Sequence, residues 1–251
     1  MADHIVEIAD GFWNVRGSFK IAGFVDIGTQ MSLVRRPDGR FLLLDCYTPT
    51  GAVRDELMER TDGGKAVDAI LNLHPFHTIH CKAVHELFPD ARLYGTRRHA
   101  EKKPDLPWEA VRTEDPELAG LFPELVFSVP RGVHLVPANE NLHFASVLAF
   151  HPATRTLHVD DTLMFTKLPF IGGLSFHPTL AKVLEERPGA VDEFRAWAAE
   201  LVELCRDVDT VCAAHTRPLR ASDGGPPVAE RVQKAIADVE AKLAAHAKKH
   251  G

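Results

Sequence analysis

The sequence lacks several features that would narrow its class at once. No apolar run approaches the roughly 20 residues that span a bilayer as a helix, so a membrane-spanning protein is not expected. Met1-Ala2-Asp3-His4 shows no charged-then-apolar leader pattern. Basic residues cluster only at Lys248-Lys249, and the net charge is −6; with no basic stripe to meet phosphates, nucleic acid is not an expected partner. The four cysteines, Cys46, Cys81, Cys205 and Cys212, form no C-x-x-C pair, which excludes a disulfide scaffold and the common structural zinc knuckles. Together these absences lead us to expect a reduced, cytoplasmic protein. There is no short repeat and no low-complexity linker.

What remains is ordinary globular material. Hydrophobic residues make up 45% and charged residues 25% of 251 positions, enough for one large domain with a sizeable core; we take residues 1–251 as a single domain. The first third reads as β-structure: Gly11–Gly17 alternates, and Met31–Arg35 runs through the turn Pro37-Asp38-Gly39 into Phe41–Asp45, a hairpin. Thr50 caps an expected helix over Ala52–Arg60. Val67–Leu71 reads as a buried strand, Ala83–Phe88 as a helix stopped by Pro89, and Ala91–Gly95 as the next strand, giving a βαβ unit. Residues 101–124 carry short helical pieces at best. From about Leu125 strands return at Val126–Val129, His134–Val136, Phe144–Phe150 and Thr156–Val159. Helices follow at Leu180–Glu186 and Val191–Leu204, then a strand at Asp209–Ala213 and an amphipathic helix over Val228–Lys248. The pattern of strands then helices occurs twice, as two αβ halves.

Between the buried strand and the helix of the βαβ unit lies Asn72-Leu73-His74-Pro75-Phe76-His77-Thr78-Ile79-His80, holding three of fourteen histidines. A strand-to-helix turn is where side chains of layered α/β folds converge on a ligand, and imidazole is a common ligand of zinc-like ions. Histidines three apart also line one face of a solvated helix, so this stretch alone leaves both readings open.

Four other stretches bear on the choice. Glu7–Arg16 with Met31–Val34 and Leu42-Leu43-Leu44-Asp45, then Asn141-Leu142-His143-Phe144-Ala145-Ser146, Thr156-Leu157-His158-Val159-Asp160-Asp161 and Val211-Cys212-Ala213-Ala214-His215 recur in one known order. Taken with the histidine turn, the sequence resembles the metallo-β-lactamase superfamily over nearly its whole length. The resemblance implies an α+β fold, a four-layer αββα sandwich of two face-to-face sheets with helices outside. The family signature H-x-H-x-D-H falls on Asn72-Leu73-His74-Pro75-Phe76-His77: the second and last histidines are kept, the first is Asn72 and the aspartate is Phe76. His143 stands in the place of the third metal histidine, Asp161 in that of the bridging carboxylate, and His215 in that of the terminal ligand.

The resemblance further implies one or two zinc ions, with iron or manganese as alternatives. His74 and His143 would hold one, His77 and His215 the other, and Asp161 both. Such a pair acidifies water and polarises a carbonyl or phosphoryl group, so the implied activity is a metal-dependent hydrolase of an ester, amide, lactone or phosphodiester, with Asp161 essential to catalysis and a small molecule as substrate. Each ion then has one protein ligand fewer than usual. His80 and Asn72 are reserve ligands, and a trio of His74, His77 and His80 stays open. Asp160 is one position from Asp161 and is its alternative. His134, His151 and His158 read as structural, Cys81 and Cys46 as packing. The apolar stretch after Asp161 contains Phe165, Phe170 and His177, which with Phe76 are candidate substrate contacts; a homodimer interface and plain core packing are the other readings of that stretch. The losses at Asn72 and Phe76 motivate a second hypothesis, a ligand-binding or sensing protein, non-catalytic or with a single ion. A redox role is a third.

Overall fold

The structure, a computed structural model, describes residues 3–21, 25–166, 173–215 and 217–251. The chain, read from sequence as one domain, divides into two units, Met1–Leu125 and Val126–Gly251, and the change falls where the sequence turns back to β-structure.

The first unit contains β1 (His4–Ala9), β2 (Phe12–Gly17), β3 (Lys20–Ile21), β4 (Val25–Asp26), β5 (Thr29–Arg35), β6 (Phe41–Leu44), α1 (Gly51–Arg60), β7 (Val67–Asn72), α2 (Cys81–Leu87), β8 (Arg92–Gly95), α3 (Arg97–Lys102) and α4 (Leu118–Leu121). Its main sheet has the order β1-β2-β5-β6-β7-β8. The first four strands pair antiparallel, and β6, β7 and β8 run parallel through the crossovers α1 and α2. Every residue of β7 is buried, as a continuous apolar run in a parallel strand requires.

Register lines up Trp13, Leu33, Leu43, Ile70 and Leu93, one from each of five strands. They share a core with Val53 and Leu57 of α1 and Cys81 and Val84 of α2. Full burial of each large side chain contributes about 1.5–3 kcal/mol, so this row fixes the alignment of the strands and with it where β7 ends.

A charged knot secures the opposite end of β7. Asp68, with its side chain 5% exposed, meets Arg36, Arg40 at 2.5 Å and Arg92 at 2.7 Å, while Arg36 also reaches Glu124 at 2.6 Å. Burial works against ionising Asp68, but Arg92, Arg40 and Arg36 together hold its carboxyl below the usual carboxylate range.

The second unit contains β9 (Val126–Ser128), β10 (Leu148–His151), β11 (Thr156–Val159), β12 (Leu163–Thr166), β13 (Gly173–Phe176), α5 (Leu180–Val183), α6 (Ala190–Leu204), β14 (Thr210–Ala213), β15 (Leu219–Arg220) and α7 (Val228–His250). Its sheet runs β15-β14-β11-β10-β9, with β11 and β14 parallel neighbours. Helix α6 buries Val191, Phe194, Trp197, Ala198 and Leu201, and α7 buries Val228, Val232, Ala235, Val239 and Leu243, the helical spacing of one apolar face. Both stripes belong to one core with Leu148, Leu157, Val159 and Val211. Two mixed sheets with helices make the chain α+β.

Several expected elements differ. His134–Val136 forms no strand: Gly132, at φ +69°, lies so close to α6 that a Cβ there would sit 1.9 Å from the Ala190 carbonyl oxygen, and the chain beyond it makes only the isolated bridge Val133–Leu184 and the bond from His134 N–H to Val183 O. The strand expected over Phe144–Phe150 begins at Leu148, because Ser146 N–H donates to the Thr162 side chain rather than to a neighbouring strand. Helix α5 is a single turn, ending where Leu184 enters that bridge. The apolar stretch after Asp161, given no element from sequence, forms the ribbon β12–β13, with Leu163 opposite Phe176 and Phe165 opposite Leu174. Among the described residues no helix is long and apolar enough to cross a membrane.

The Asp68 knot yields a test. Asp68→Asn leaves three guanidinium groups around a neutral amide and should cost on the order of 3 kcal/mol at neutral pH. The carboxyl is lowered in the folded state, so its contribution is full above the unfolded value and fades as pH falls through the folded one. The stability difference between wild type and variant, measured by denaturant unfolding, should hold at neutral pH and close below about pH 4. Acid limbs that stay parallel would show that Asp68 contributes no such term.

Candidate functional site

Each unit builds its own set of candidate residues. In the first, β7 ends at Asn72 and the chain must leave the sheet with N–H groups that no strand can accept. Asp45, just past β6, supplies the acceptor. Its backbone N–H continues the ladder to Leu71 O at 2.8 Å, and its Oδ1 accepts from Leu73 N–H at 2.7 Å and His74 N–H at 3.2 Å. Asp45 is buried, 2% exposed, and sits at φ +60°, a left-handed conformation that costs a non-glycine residue about 1–3 kcal/mol and in which Asp is over-represented. Charge-assisted bonds to two backbone donors offset that strain.

Beyond this clamp the turn closes by His77 N–H to His74 O and Thr78 N–H to Phe76 O, both 3.0 Å. It stacks the His74 and His77 rings, centroids 4.0 Å apart at 19°, and one ring nitrogen of each lies within 4.8 Å of the other. His74 Nδ1 accepts Phe76 N–H at 3.2 Å, so the lone pair of that nitrogen is engaged within the turn. The Phe76 ring lies under the Arg98 guanidinium, 4.2 Å from its centroid, and Arg98 donates to Pro75 O at 3.2 Å. A cation–π contact therefore stands where the family signature has a carboxylate.

Both reserve ligands have hydrogen-bond partners within the first unit. Asn72 donates its amide to Tyr94 O at 3.0 Å and its Oδ1 accepts the Cys81 thiol at 3.2 Å, so it ties the end of β7 to β8 and α2. His80 Nδ1 takes both the Thr48 N–H at 3.3 Å and the Thr48 hydroxyl at 2.8 Å. Burial, with the neighbouring His77, holds the His80 imidazole below its ordinary value. Cys81 opens α2 against the same wall: the neighbouring Cys46 thiol, opposed by burial and assisted by His99, brings its thiol down to about 6, while burial pushes Cys46 well up.

In the second unit register does the work. Val159 of β11 pairs with Ala213 of β14 in parallel, so the residues two beyond each strand end emerge side by side. They are Asp161 and His215, with His215 Nε2 3.2 Å from Asp161 Oδ1. Two ligands at 2.0–2.2 Å on a tetrahedral ion stand roughly 3.4 Å apart, so this spacing suits a shared cation. Asp160, the alternative, lies instead near His158, their ligand atoms within 4.8 Å.

His143 is half-buried in the loop before β10. Its Nε2 bonds Glu140 O at 3.0 Å, which makes Nε2 the donor and leaves the lone pair on Nδ1. The loop is held by Thr179, whose hydroxyl donates to His143 O, and by Thr162, which bonds Ser146 and Phe144 O. Of the proposed substrate contacts in this unit, Phe165 packs in the core and is 5% exposed. His177 turns its Nδ1 back onto Thr179, and Phe170 lies outside the described residues. The sequence reading missed Thr48, Arg98 and His99 and the clamping role of Asp45. The βαβ unit was signal enough for the pair Arg98-His99, since α3 follows directly on β8, the parallel neighbour of β7.

The clamp predicts a graded series. Asp45→Ala leaves two buried N–H groups without their acceptor and a Cβ at positive φ, a loss of about 2–4 kcal/mol in unfolding free energy. Asp45→Asn keeps an acceptor oxygen and should recover most of it, and Asp45→Gly relieves the backbone without restoring the bonds. Equal loss in the Ala and Asn variants would show that Oδ1 is not what holds the turn.

No protein-family model matches the sequence, and no curated protein matches it. Solved structures do. A metallo-β-lactamase from Erythrobacter litoralis with β-mercaptoethanol in its active site is 15% identical with a TM-score of 0.62, over 94% of this chain and 96% of that one. The metallo-β-lactamase FIM-1 from Pseudomonas aeruginosa, in its mono-zinc form, is 11% identical with a TM-score of 0.63, over 95% and 96%. A metallo-β-lactamase from Pontibacter korlensis is 11% identical with a TM-score of 0.58, over 94% and 99%. At this level of identity the similarity speaks for the fold, and across almost its full length the chain has the metallo-β-lactamase fold.

Proposed function

We propose that the protein is a metal-dependent hydrolase of a small-molecule ester, amide, lactone or phosphodiester. The observation that carries this reading is the Asp161–His215 pair, 3.2 Å apart at the ends of two parallel strands. Each unit brings imidazole donors of its own: His74 and His77 in the first, from a turn held by Asp45, and His143 in the second. These residues fit a zinc-like ion by donor chemistry: neutral imidazoles and a carboxylate, all buried or half-buried. Zinc is the ion we favour, with iron and manganese as alternatives.

A bound ion would supply Lewis acidity and a water acidified to near-neutral pH. The chain's own residues do the rest. Asp161 and His215 orient one another, so the ligand geometry is set before an ion arrives. Asp45 fixes the backbone from which His74 projects. Phe76 brings no carboxylate to orient a water, so proton transfer falls to Asp161 or to solvent.

A second reading, one ion with binding rather than turnover, is favoured by two observations. Both ends of the Asn72 amide are engaged within the first unit, and Arg98 places a fixed positive charge over Phe76. A mono-zinc form is also what the FIM-1 structure describes for that protein.

Protein purified without added metal should carry about one to two zinc-like ions per chain by elemental analysis. Asp161→Ala should lose both the metal and hydrolysis of nitrophenyl esters, lactones or bis(nitrophenyl) phosphate, by about 100-fold or more. Hydrolysis that survives in Asp161→Ala overturns the mechanism. Metal without turnover on any of these substrates moves the assignment to the binding protein.

A further inference from the structure

Apart from the residues assigned to hydrolysis, the second unit holds two histidines one helical turn apart on α7. The buried stripe of that helix is Val228, Val232, Ala235, Val239 and Leu243. Continued at the same helical spacing, it falls on His246 and His250, and both are half-buried. Helical side chains lean toward the N-terminus, which lays the His250 ring over that of His246. The ring centroids are 4.5 Å apart and the planes 31° apart.

His246 is also held from outside α7. Its Nε2 lies 3.0 Å from Glu185 O; a carbonyl only accepts, so Nε2 carries the proton and the Nδ1 lone pair is left for a ligand. A ring N–H donated to a backbone carbonyl is the usual support of a metal-bound imidazole. His250 offers whichever nitrogen is unprotonated. The Glu185 carboxylate is bound to Arg187 at 2.6 Å. Among the described residues no third His, Cys, Asp or Glu completes a three-ligand group with the pair. Lys248 and Lys249 are exposed, so solvent and salt screen their charges.

The ring spacing selects the ion. With metal–nitrogen bonds of about 2.0 Å and an angle of about 90° at the ion, two imidazole centroids stand roughly 4.5 Å apart; a tetrahedral angle spreads them to roughly 5.2 Å. We propose that His246 and His250 form a two-imidazole chelate for a tetragonal divalent ion, Cu(II) first and Ni(II) second, with water in the remaining positions. Imidazole suits both ions, and Cu(II) stands highest in the order of divalent affinities. A bound ion would tie the end of α7 to the Glu185 connection between α5 and α6, because the His246 ring would hold both. This inference does not rest on the hydrolase reading, which uses Asp161 and His215.

The test is Cu(II) binding to the metal-free protein, followed by equilibrium dialysis and electron paramagnetic resonance. Wild type is compared with His246→Ala, His250→Ala, the double variant and His215→Ala, each checked for native circular dichroism. Each single helix variant should bind about one Cu(II) fewer per chain than wild type, and the double variant should lose no more than either single one. The copper lost should carry the signature of two equatorial nitrogens, and His215→Ala should keep it. Ni(II) should displace it better than Zn(II). Saturating Ni(II) should raise the unfolding midpoint more in wild type than in the helix variants, since the unfolded chain has no preformed pair. Equal copper content in wild type and the helix variants would overturn the proposal and mark the copper as an adventitious ion only. Copper lost in one single variant but not the other would overturn the chelate, because a lone imidazole would account for it. Loss of the same copper in His215→Ala would move it to the hydrolase site, and better displacement by Zn(II) would contradict the tetragonal geometry.

Discussion

The Oδ1 atom of Asp45 accepts the N–H groups of Leu73 and His74, and most of the first unit's candidate chemistry depends on that arrangement. A parallel strand that stops inside a protein leaves donors with no ladder to enter, and leaving them unmet costs more than the bonds themselves are worth. Asp45 meets two of them from a strained backbone, and the core row from Trp13 to Leu93 keeps β6 and β7 in the register that brings it there. The stacked imidazoles of His74 and His77 follow from a turn whose first residue is already fixed.

The second unit solves the same problem by pairing alone. Because β11 and β14 run parallel with Val159 opposite Ala213, continuing each strand by two residues delivers Asp161 and His215 to adjacent places. The apolar stripes of α6 and α7 hold those strands from one side. Neither side chain needs a partner from its own sequence neighbourhood.

Much of this was legible in the sequence. The buried run Val67–Leu71, the helix stop at Pro89 and the hairpin at Pro37–Gly39 carry local signals, and each is where the pattern put it. His134–Val136 misled because alternation over three residues says nothing about Gly132, whose close approach to Ala190 is a tertiary constraint. The ribbon of Leu163–Thr166 with Gly173–Phe176 escaped the pattern because its two strands are four residues each, separated by a stretch with no period of its own. Asn72 was legible as a lost histidine, but not its bonds to Cys81 and Tyr94, which form only once α2 and β8 pack beside β7. Phe76 was legible as a lost carboxylate, while Arg98 above it comes from α3, a helix for which the sequence reading gave no element.

The account stands on the Asp161–His215 pair as the seat of a metal ion. Cobalt(II) added to the metal-free protein reports this directly, through the visible absorption bands of a low-coordinate site. The account predicts intense bands in the wild type and their loss in a His215→Ala variant that is still folded. Bands that survive unchanged in that variant would contradict it, because the ion would then be held without the pair.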